Sequence, residues 1–251
     1  MIGIITAPNV KHDLKCTQSY LNLAYIHWIE MADEQAMIIP YDISEKELLN
    51  ILQRIHGVVW VGGAIENTKT HTTKQYTALL NTLFYCYQYA IRENTNGNYY
   101  PIWGTCLGFD ILLMFANQKS SLKESLIPFP LHGVYPTTFT TNTRLKKWFS
   151  TNMLQKMKKQ PCVFHNHKYG NVSVPPTVDI VSVHDTFINM IEFKDYPFYG
   201  VQFHPEQPHT EFSIEVSRQF SLFFKNECDK NTNKWKWNLA DFKKGKQIKL
   251  I

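Results

Sequence analysis

Tyr99-Tyr100-Pro101-Ile102-Trp103-Gly104-Thr105-Cys106-Leu107-Gly108-Phe109-Asp110-Ile111-Leu112-Leu113-Met114 is the stretch on which the chain turns. An apolar strand runs into a tight turn, and the turn opens an amphipathic helix. A cysteine stands at the turn between two glycines. Gly-x-Cys-x-Gly is the thiol form of a nucleophile elbow, in which a strained strand-to-helix turn lifts the reactive side chain clear of the sheet. The glycines allow the sharp turn and the close passage of the helix past neighbouring strands. Cys106 would also meet the positive end of the helix, which favours a thiolate. Taken alone, the same letters equally describe a buried structural cysteine beside two turn glycines.

The chain before this stretch alternates strand and helix. Ile2–Thr6 reads as a buried strand, and 17–33 as a helix with Tyr20, Leu21, Ala24, Ile26, Trp28 and Ile29 inward. Ala36–Ile39 is a second strand. Ser44 and Glu47 form a capping box for a helix that Gly57 ends. Val58–Val61 is a fully apolar strand running into Gly62-Gly63 and a polar loop, and a long helix covers about 73–92. Such alternation predicts a parallel sheet covered on both faces, with function at the strands' C-terminal ends. Gly62-Gly63 and Cys106 both fall at such ends.

Beyond the elbow helix, which runs to about Asn117, residues 118–140 read as irregular with a short strand. A helix follows at 143–158, with Leu145, Trp148, Phe149, Leu154 and Met157 inward. Short strands at 161–164, 178–183, 187–193 and 198–203 suggest an antiparallel extension of the sheet, and a helix at about 210–227 closes the body. The fold class is therefore α/β: a three-layer α/β/α sandwich on a mostly parallel sheet.

With 251 residues, 44% of them hydrophobic and 19% charged, the chain has the make-up of one ordinary globular domain. No stretch is apolar enough to span a membrane. The five cysteines, at 16, 86, 106, 162 and 228, have neither disulfide nor metal-site spacing. With the lack of a signal-peptide pattern at the start, that suggests an intracellular, cytoplasmic setting over a vacuolar, lysosomal or secreted one. The net charge of +5 sits in 229–251, where seven lysines face Asp229 and Asp241. We divide the chain into a body, 1–228, and this basic tail. A short Lys-rich tail reads plainly as a solvated terminus; Trp235 and Trp237 add the alternatives of docking on the body, ranked first, and of a nucleic-acid arm.

A thiol nucleophile needs a base and a group to orient that base. Tyr199-Gly200-Val201-Gln202-Phe203-His204-Pro205-Glu206 offers both. His204 follows an apolar strand, and Glu206 two residues on would share its face in extended backbone. A carboxylate on one imidazole nitrogen leaves the other for the thiol. The plain alternative is a strand-end histidine beside a surface glutamate.

Trp-Gly-Thr-Cys-Leu-Gly-Phe at 103–109, followed by Tyr-Gly-Val-Gln-Phe-His-Pro-Glu at 199–206, resembles the class I glutamine amidotransferase superfamily, whose fold is flavodoxin-like. Within it the chain is most similar to the folate γ-glutamyl hydrolases over roughly residues 1–224. The resemblance implies Cys106 as nucleophile, His204 as general base and acid, and Glu206 as its orienter. It implies backbone N–H groups of Gly63 and Leu107 as the oxyanion hole, with Gly62 beside the substrate. Asp110 stands where those hydrolases have a glutamate and the glutaminases a glutamine. Phe164-His165-Asn166-His167-Lys168-Tyr169 resembles their Phe-His-Lys-Trp stretch and puts His167 and Lys168 near substrate; read plainly, it is a polar loop between strands. Val61 and Phe203 replace a proline and a tryptophan of the pattern.

The implied reaction is hydrolysis of γ-glutamyl amides of folate poly-γ-glutamates, without cofactor or metal. The expected partner is a small γ-glutamyl conjugate. A homodimer is left open, and neither membrane nor nucleic acid is expected. The rival readings are an ammonia-supplying glutaminase subunit and a non-catalytic scaffold.

Overall fold

The computed structural model describes residues 1–8, 19–63, 73–234 and 248–250. Its first strand, β1 (Ile2–Ile5), is followed by β2 (Ala7–Pro8), β3 (Ser19–Leu21), α1 (Ala24–Glu30), β4 (Ala36–Ile39), α2 (Glu45–Leu52), β5 (Val58–Trp60) and α3 (Thr73–Thr95). The elbow comes next, as β6 (Ile102–Thr105) and α4 (Leu107–Ala116). The second half holds β7 (Ile127–Tyr135), α5 (Arg144–Trp148), α6 (Thr151–Lys159), β8 (Val163–Gly170), β9 (Val178–His184), β10 (Phe187–Phe193), β11 (Phe198–Val201), α7 (Glu211–Cys228) and β12 (Ile248–Leu250).

Seven strands form the central sheet in the order β4-β1-β5-β6-β11-β10-β9. The first five are parallel, and β10 and β9 continue the sheet antiparallel. Side chains alternate through it, so each strand feeds both faces. Ile102 joins the core under α2, α3 and α4, while its neighbour Trp103 joins the core under α1, α6 and α7. Trp103 packs on Trp28 at 5.3 Å and on Phe224 at 5.8 Å between ring centres. Ring pairs of this kind add about 0.5–1.5 kcal/mol each beyond simple burial. The result is the three-layer α/β/α sandwich that the alternating pattern predicts.

Several local expectations are corrected. Within 17–33, Ser19–Leu21 is strand and only Ala24–Glu30 is helix; a short apolar run fits either period, and pairing with β2 decides it. Gly57 does not cap α2, whose C-cap is Gln53. A Cβ on Gly57 would sit 2.7 Å from Cys228 Sγ, so close packing explains that glycine. The segment read as irregular carries the nine-residue β7, paired antiparallel with β8. Its prolines disguise it, but an edge strand with an irregular register between Pro128 and Leu131 accommodates them. The single helix expected at 143–158 breaks into α5 and α6 because Ser150 caps α6, accepting from Met153 N at 3.2 Å. Trp148 is consequently partly exposed.

The polar loop after Gly63, Cys16, Trp235 and Trp237 lie outside the described residues. Just beyond α7 the chain is bonded to the body, with Asn231 Nδ2 donating to Tyr99 O at 2.8 Å and Asn233 Nδ2 to Ile55 O at 2.9 Å. No described helix is long and apolar enough to cross a membrane.

Candidate active site

Cys106 has φ 51° and ψ −108° at the join of β6 and α4. A non-glycine residue held there costs on the order of 1–3 kcal/mol, which the surroundings must enforce. They do so by contact. A Cβ on Gly108 would lie 2.3 Å from the Trp60 carbonyl oxygen, and one on Gly104 would lie 2.8 Å from Gly108 backbone. Cys106 N donates to Val201 O at 2.8 Å, and Asp110 N to Cys106 O at 2.9 Å. The turn is thereby tied to β11 on one side and to its own helix on the other. Cys106 is buried, with 7% of the residue exposed.

β11 leads to His204, the candidate base. His204 N donates to Phe164 O at 2.7 Å, and Gln207 N to His204 O at 3.2 Å, so His204–Gln207 is a turn and not the extended run expected. Pro205 presets its second position. This turn, and not strand alternation, swings the Glu206 carboxylate back to the imidazole. Glu206 Oε1 accepts from His204 Nδ1 at 2.7 Å and from Gln207 Nε2 at 3.2 Å. The other ring nitrogen is left for the thiol. Burial alone would lower the His204 pKa; the Glu206 carboxylate and the Cys106 sulfur outweigh it and raise it well above the usual range.

Gly62 lies between these parts. A Cβ there would be 2.9 Å from His204 Cε1, 3.1 Å from the Tyr25 hydroxyl and 3.3 Å from Cys106 Cβ, so only glycine fits. Gly62 N donates to that hydroxyl at 2.7 Å. Tyr25 was missed in the sequence, where its helical spacing carries no sign of a site. It is buried, and burial with the Glu206 charge raises its pKa well above the ordinary tyrosine value. Gly63 adjoins Leu107, 2.9 Å from a built Cβ to Leu107 Cδ2. The first N–H groups of a helix have no intrahelical partner, so Leu107 N–H is unclaimed by its own helix. The two residues whose N–H groups are expected to stabilise an oxyanion, Gly63 and Leu107, are therefore in contact, and Leu107 follows Cys106 directly in the chain.

Asp110 lies one turn along α4, fully enclosed, and accepts from Asn171 Nδ2 at 2.8 Å. Burial pushes its carboxyl well above the ordinary value, against the opposing effect of Gln202 and Asn171. Asn171 and Tyr76, both facing this acid, carried no signal in the sequence. His167 is on β8, which replaces the polar loop of the plain reading. His167 Nδ1 meets Tyr169 O at 2.9 Å, and Nε2 meets His165 Nδ1 at 3.0 Å. Burial lowers His167 to about 4 and His165 to about 2, so both rings are neutral near pH 7. The carbonyl can only accept, so the proton on His167 sits at Nδ1, and His165 donates to its Nε2. Lys168 is exposed on the same strand, where the register with β7 is irregular. Among the described residues no cluster of His, Cys, Asp or Glu is arranged to hold a metal ion.

The peptidase C26 family profile matches residues 1–206. The chain belongs to that family. Curated relatives include gamma-glutamyl hydrolase B of Dictyostelium discoideum, 28% identical over 94% of this chain and 74% of its own length. Another is gamma-glutamyl hydrolase of Homo sapiens, 24% identical over 86% of this chain and 73% of its own length. Among solved structures, PurLQS from Thermotoga maritima overlays with a TM-score of 0.57 at 13% identity, covering 90% of this chain and 97% of the other. That likeness supports the class I glutamine amidotransferase-like fold. This C26 chain is accordingly a hydrolase of the cysteine-peptidase class.

Proposed function

We propose that this C26 chain hydrolyses γ-glutamyl amide bonds, with folate poly-γ-glutamates as the substrate class. One observation carries the reading: His204, pinned by Glu206, shares the Gly62 corner with a cysteine strained onto the end of its helix. The curated gamma-glutamyl hydrolases named above supply the acyl group.

In the proposed reaction the Cys106 thiolate attacks the γ-carbonyl carbon, and the oxyanion lies on the N–H groups of Leu107 and Gly63. Removing one donor of such a hole typically costs about a hundred- to a thousandfold in rate. The C–N bond then breaks, protonated His204 gives its proton to the departing amine, and a thioester stays on Cys106. His204 next takes a proton from water, which attacks the thioester; the γ-carboxylic acid leaves and the thiol is restored. Asp110 and His167 are proposed to border the bound glutamate. An intracellular setting is proposed as well, supported by the free thiols of Cys86, Cys106, Cys162 and Cys228. A homodimer stays open in this reading, and light scattering on the purified chain would test it.

The deciding experiment incubates the purified protein with pteroyl-poly-γ-glutamate and, separately, with glutamine, using Cys106→Ala as the blank. Shortened folate chains absent from the blank are expected. Ammonia from glutamine alone would instead make the chain a glutaminase, and silence on both would leave the catalytic set without this substrate.

A further inference from the structure

Tyr25 stands at a junction that the reaction outlined above does not use. Asn22 Oδ1 accepts from Ala24 N at 3.0 Å and holds the start of α1, from whose first turn Tyr25 points inward, only 3% exposed. One turn on, Trp28 Nε1 donates to Ser217 O of α7 at 3.1 Å, and Ser217 Oγ donates to Pro205 O at 2.6 Å in the His204–Gln207 turn. α1 is thereby indexed to the backbone that carries His204 and Glu206. The Tyr25 hydroxyl then accepts from Gly62 N at 2.7 Å. A phenol oxygen that accepts still has one proton to give. Burial first, and then the Glu206 charge, keeps that proton on the oxygen, and Glu206 is also the acceptor that bears on it. Glu206 Oε1 is taken by His204 Nδ1 and Gln207 Nε2, whereas Oε2 is buried with no close donor among the described residues. The hydroxyl therefore sits between a backbone N–H of the oxyanion loop and the open oxygen of the orienting carboxylate.

We propose that Tyr25 is a positioning residue for acyl transfer, whose hydroxyl sets the oxyanion loop against Cys106, His204 and Glu206. The proposal deepens the reading above and rests on its acyl-transfer step, but on no particular acyl group. Gly62 is crowded by His204 Cε1 and Cys106 Cβ, so it carries no side chain to limit its own backbone. The next peptide, which bears the Gly63 N–H, is free to turn about it. Holding the peptide between Val61 and Gly62 narrows that freedom, and the Gly63 N–H meets the oxyanion without reorganising as charge develops. Without the hydroxyl the buried Gly62 N–H loses its acceptor, and the loop gains by turning to find another. The loss falls on the transition state, so kcat drops while KM stays.

The test separates two reactions of one thiol. p-Nitrophenyl acetate acylates Cys106 through a tetrahedral oxyanion: the S–C bond forms, the C–O bond breaks, p-nitrophenolate leaves, and water later releases the acetyl group as acetate. Iodoacetamide alkylates the same sulfur by displacing iodide and forms no oxyanion. Both rates are measured at neutral pH on the full chain, as parent, Tyr25→Phe and Leu48→Ala, with Cys106→Ala as the blank. A removed donor costs about a hundred- to a thousandfold, so a misdirected one is expected to slow acylation about ten- to thirtyfold, with alkylation changed by less than about twofold. Leu48 is buried in the core on the other face of the sheet, so Leu48→Ala should lower Tm and keep the two rates in proportion. On pteroyl-poly-γ-glutamate, Tyr25→Phe should lose kcat by a similar factor at unchanged KM. Equal losses in both rates would place the effect of Tyr25 on the thiol or the fold, and unchanged acylation would mean that the hydroxyl positions nothing; either result overturns the proposal. A parent that acylates at Cys106 yet cleaves no γ-glutamyl conjugate would end the γ-glutamyl reading and leave this one in place. A parent without Cys106-dependent acylation would end both.

Discussion

The two halves of the site are held by different physics. The elbow at β6–α4 is steric: Gly104 and Gly108 leave no room for any side chain, and the strained Cys106 backbone follows from that crowding and two backbone hydrogen bonds. The histidine turn at 204–207 is electrostatic: a carboxylate, an imidazole and an amide fix one another inside a buried corner. Contact geometry is indifferent to pH and intolerant of volume, whereas a buried polar set tolerates isosteres in shape and fails in charge. The contrast says which kind of substitution each half should feel.

The largest effect should come from Glu206→Gln, which keeps the shape of the turn and removes its charge. Loss of kcat by about a hundred- to ten-thousandfold is expected, as for other orienting carboxylates in catalytic triads. Its signature is in pH. Burial lowers the His204 pKa and Glu206 raises it, so without the charge the imidazole deprotonates earlier, and the alkaline limb of kcat/KM moves to lower pH. Because the folded-state pKa is raised, the stability it contributes is complete below the unfolded value of about 6.5 and is lost as pH rises through the folded one. The variant should lose that dependence. An unmoved alkaline limb would break the distinction between the two halves.

Gly108→Ala is the steric counterpart. The new Cβ meets a backbone carbonyl that cannot swing aside, so about 2–3 kcal/mol of destabilisation is expected, roughly 5–10 °C in Tm, and equally at pH 5 and pH 8. A drop that varied with pH would point to an electrostatic role for the elbow.

Asp110→Asn should have the smallest effect and sharpens the boundary between the halves, since Asp110 is a charge-bearing type inside the steric half. Its folded-state pKa is raised by burial, so the native protein loses stability as pH climbs above the unfolded carboxylate value of about 3.9. Asparagine keeps the oxygen that accepts from Asn171 Nδ2. The variant should match the parent in Tm near pH 4 and exceed it by a few degrees near pH 8, a margin of about 1 kcal/mol. A constant difference across that range would mean that the carboxyl is ionised and held by its amides.

Much of this was open to a reader of the sequence. Gly-Thr-Cys-Leu-Gly and the apolar strand ahead of it specify the elbow because each requirement — small residues, a turn, a helix start — is met by neighbours in the chain. The alternation of strand and helix from Ile2 to Met114 specifies a doubly covered parallel sheet for the same reason. β7 was not legible, because its prolines deny the strand pattern and only pairing with β8 overrides them. Nor was the role of Tyr25 against Gly62, since a tyrosine at helical spacing reads as core wherever its hydroxyl ends up.

By itself, then, the sequence determined the layers and the glycine-flanked cysteine at the join of strand and helix, which local sterics and periodicity set, while the roles proposed for Cys106 and His204 come from the family resemblance. Tertiary structure alone decided that a turn brings Glu206 to His204, that His167 is locked through His165, and that β12 pairs with β3. The first two join near neighbours whose backbone is fixed from outside, by His204 N donating to Phe164 O and by the pairing of β8 with β7, and the third joins strands far apart in the chain; such constraints come only from packing, whose energy belongs to the whole molecule and not to any one segment of it.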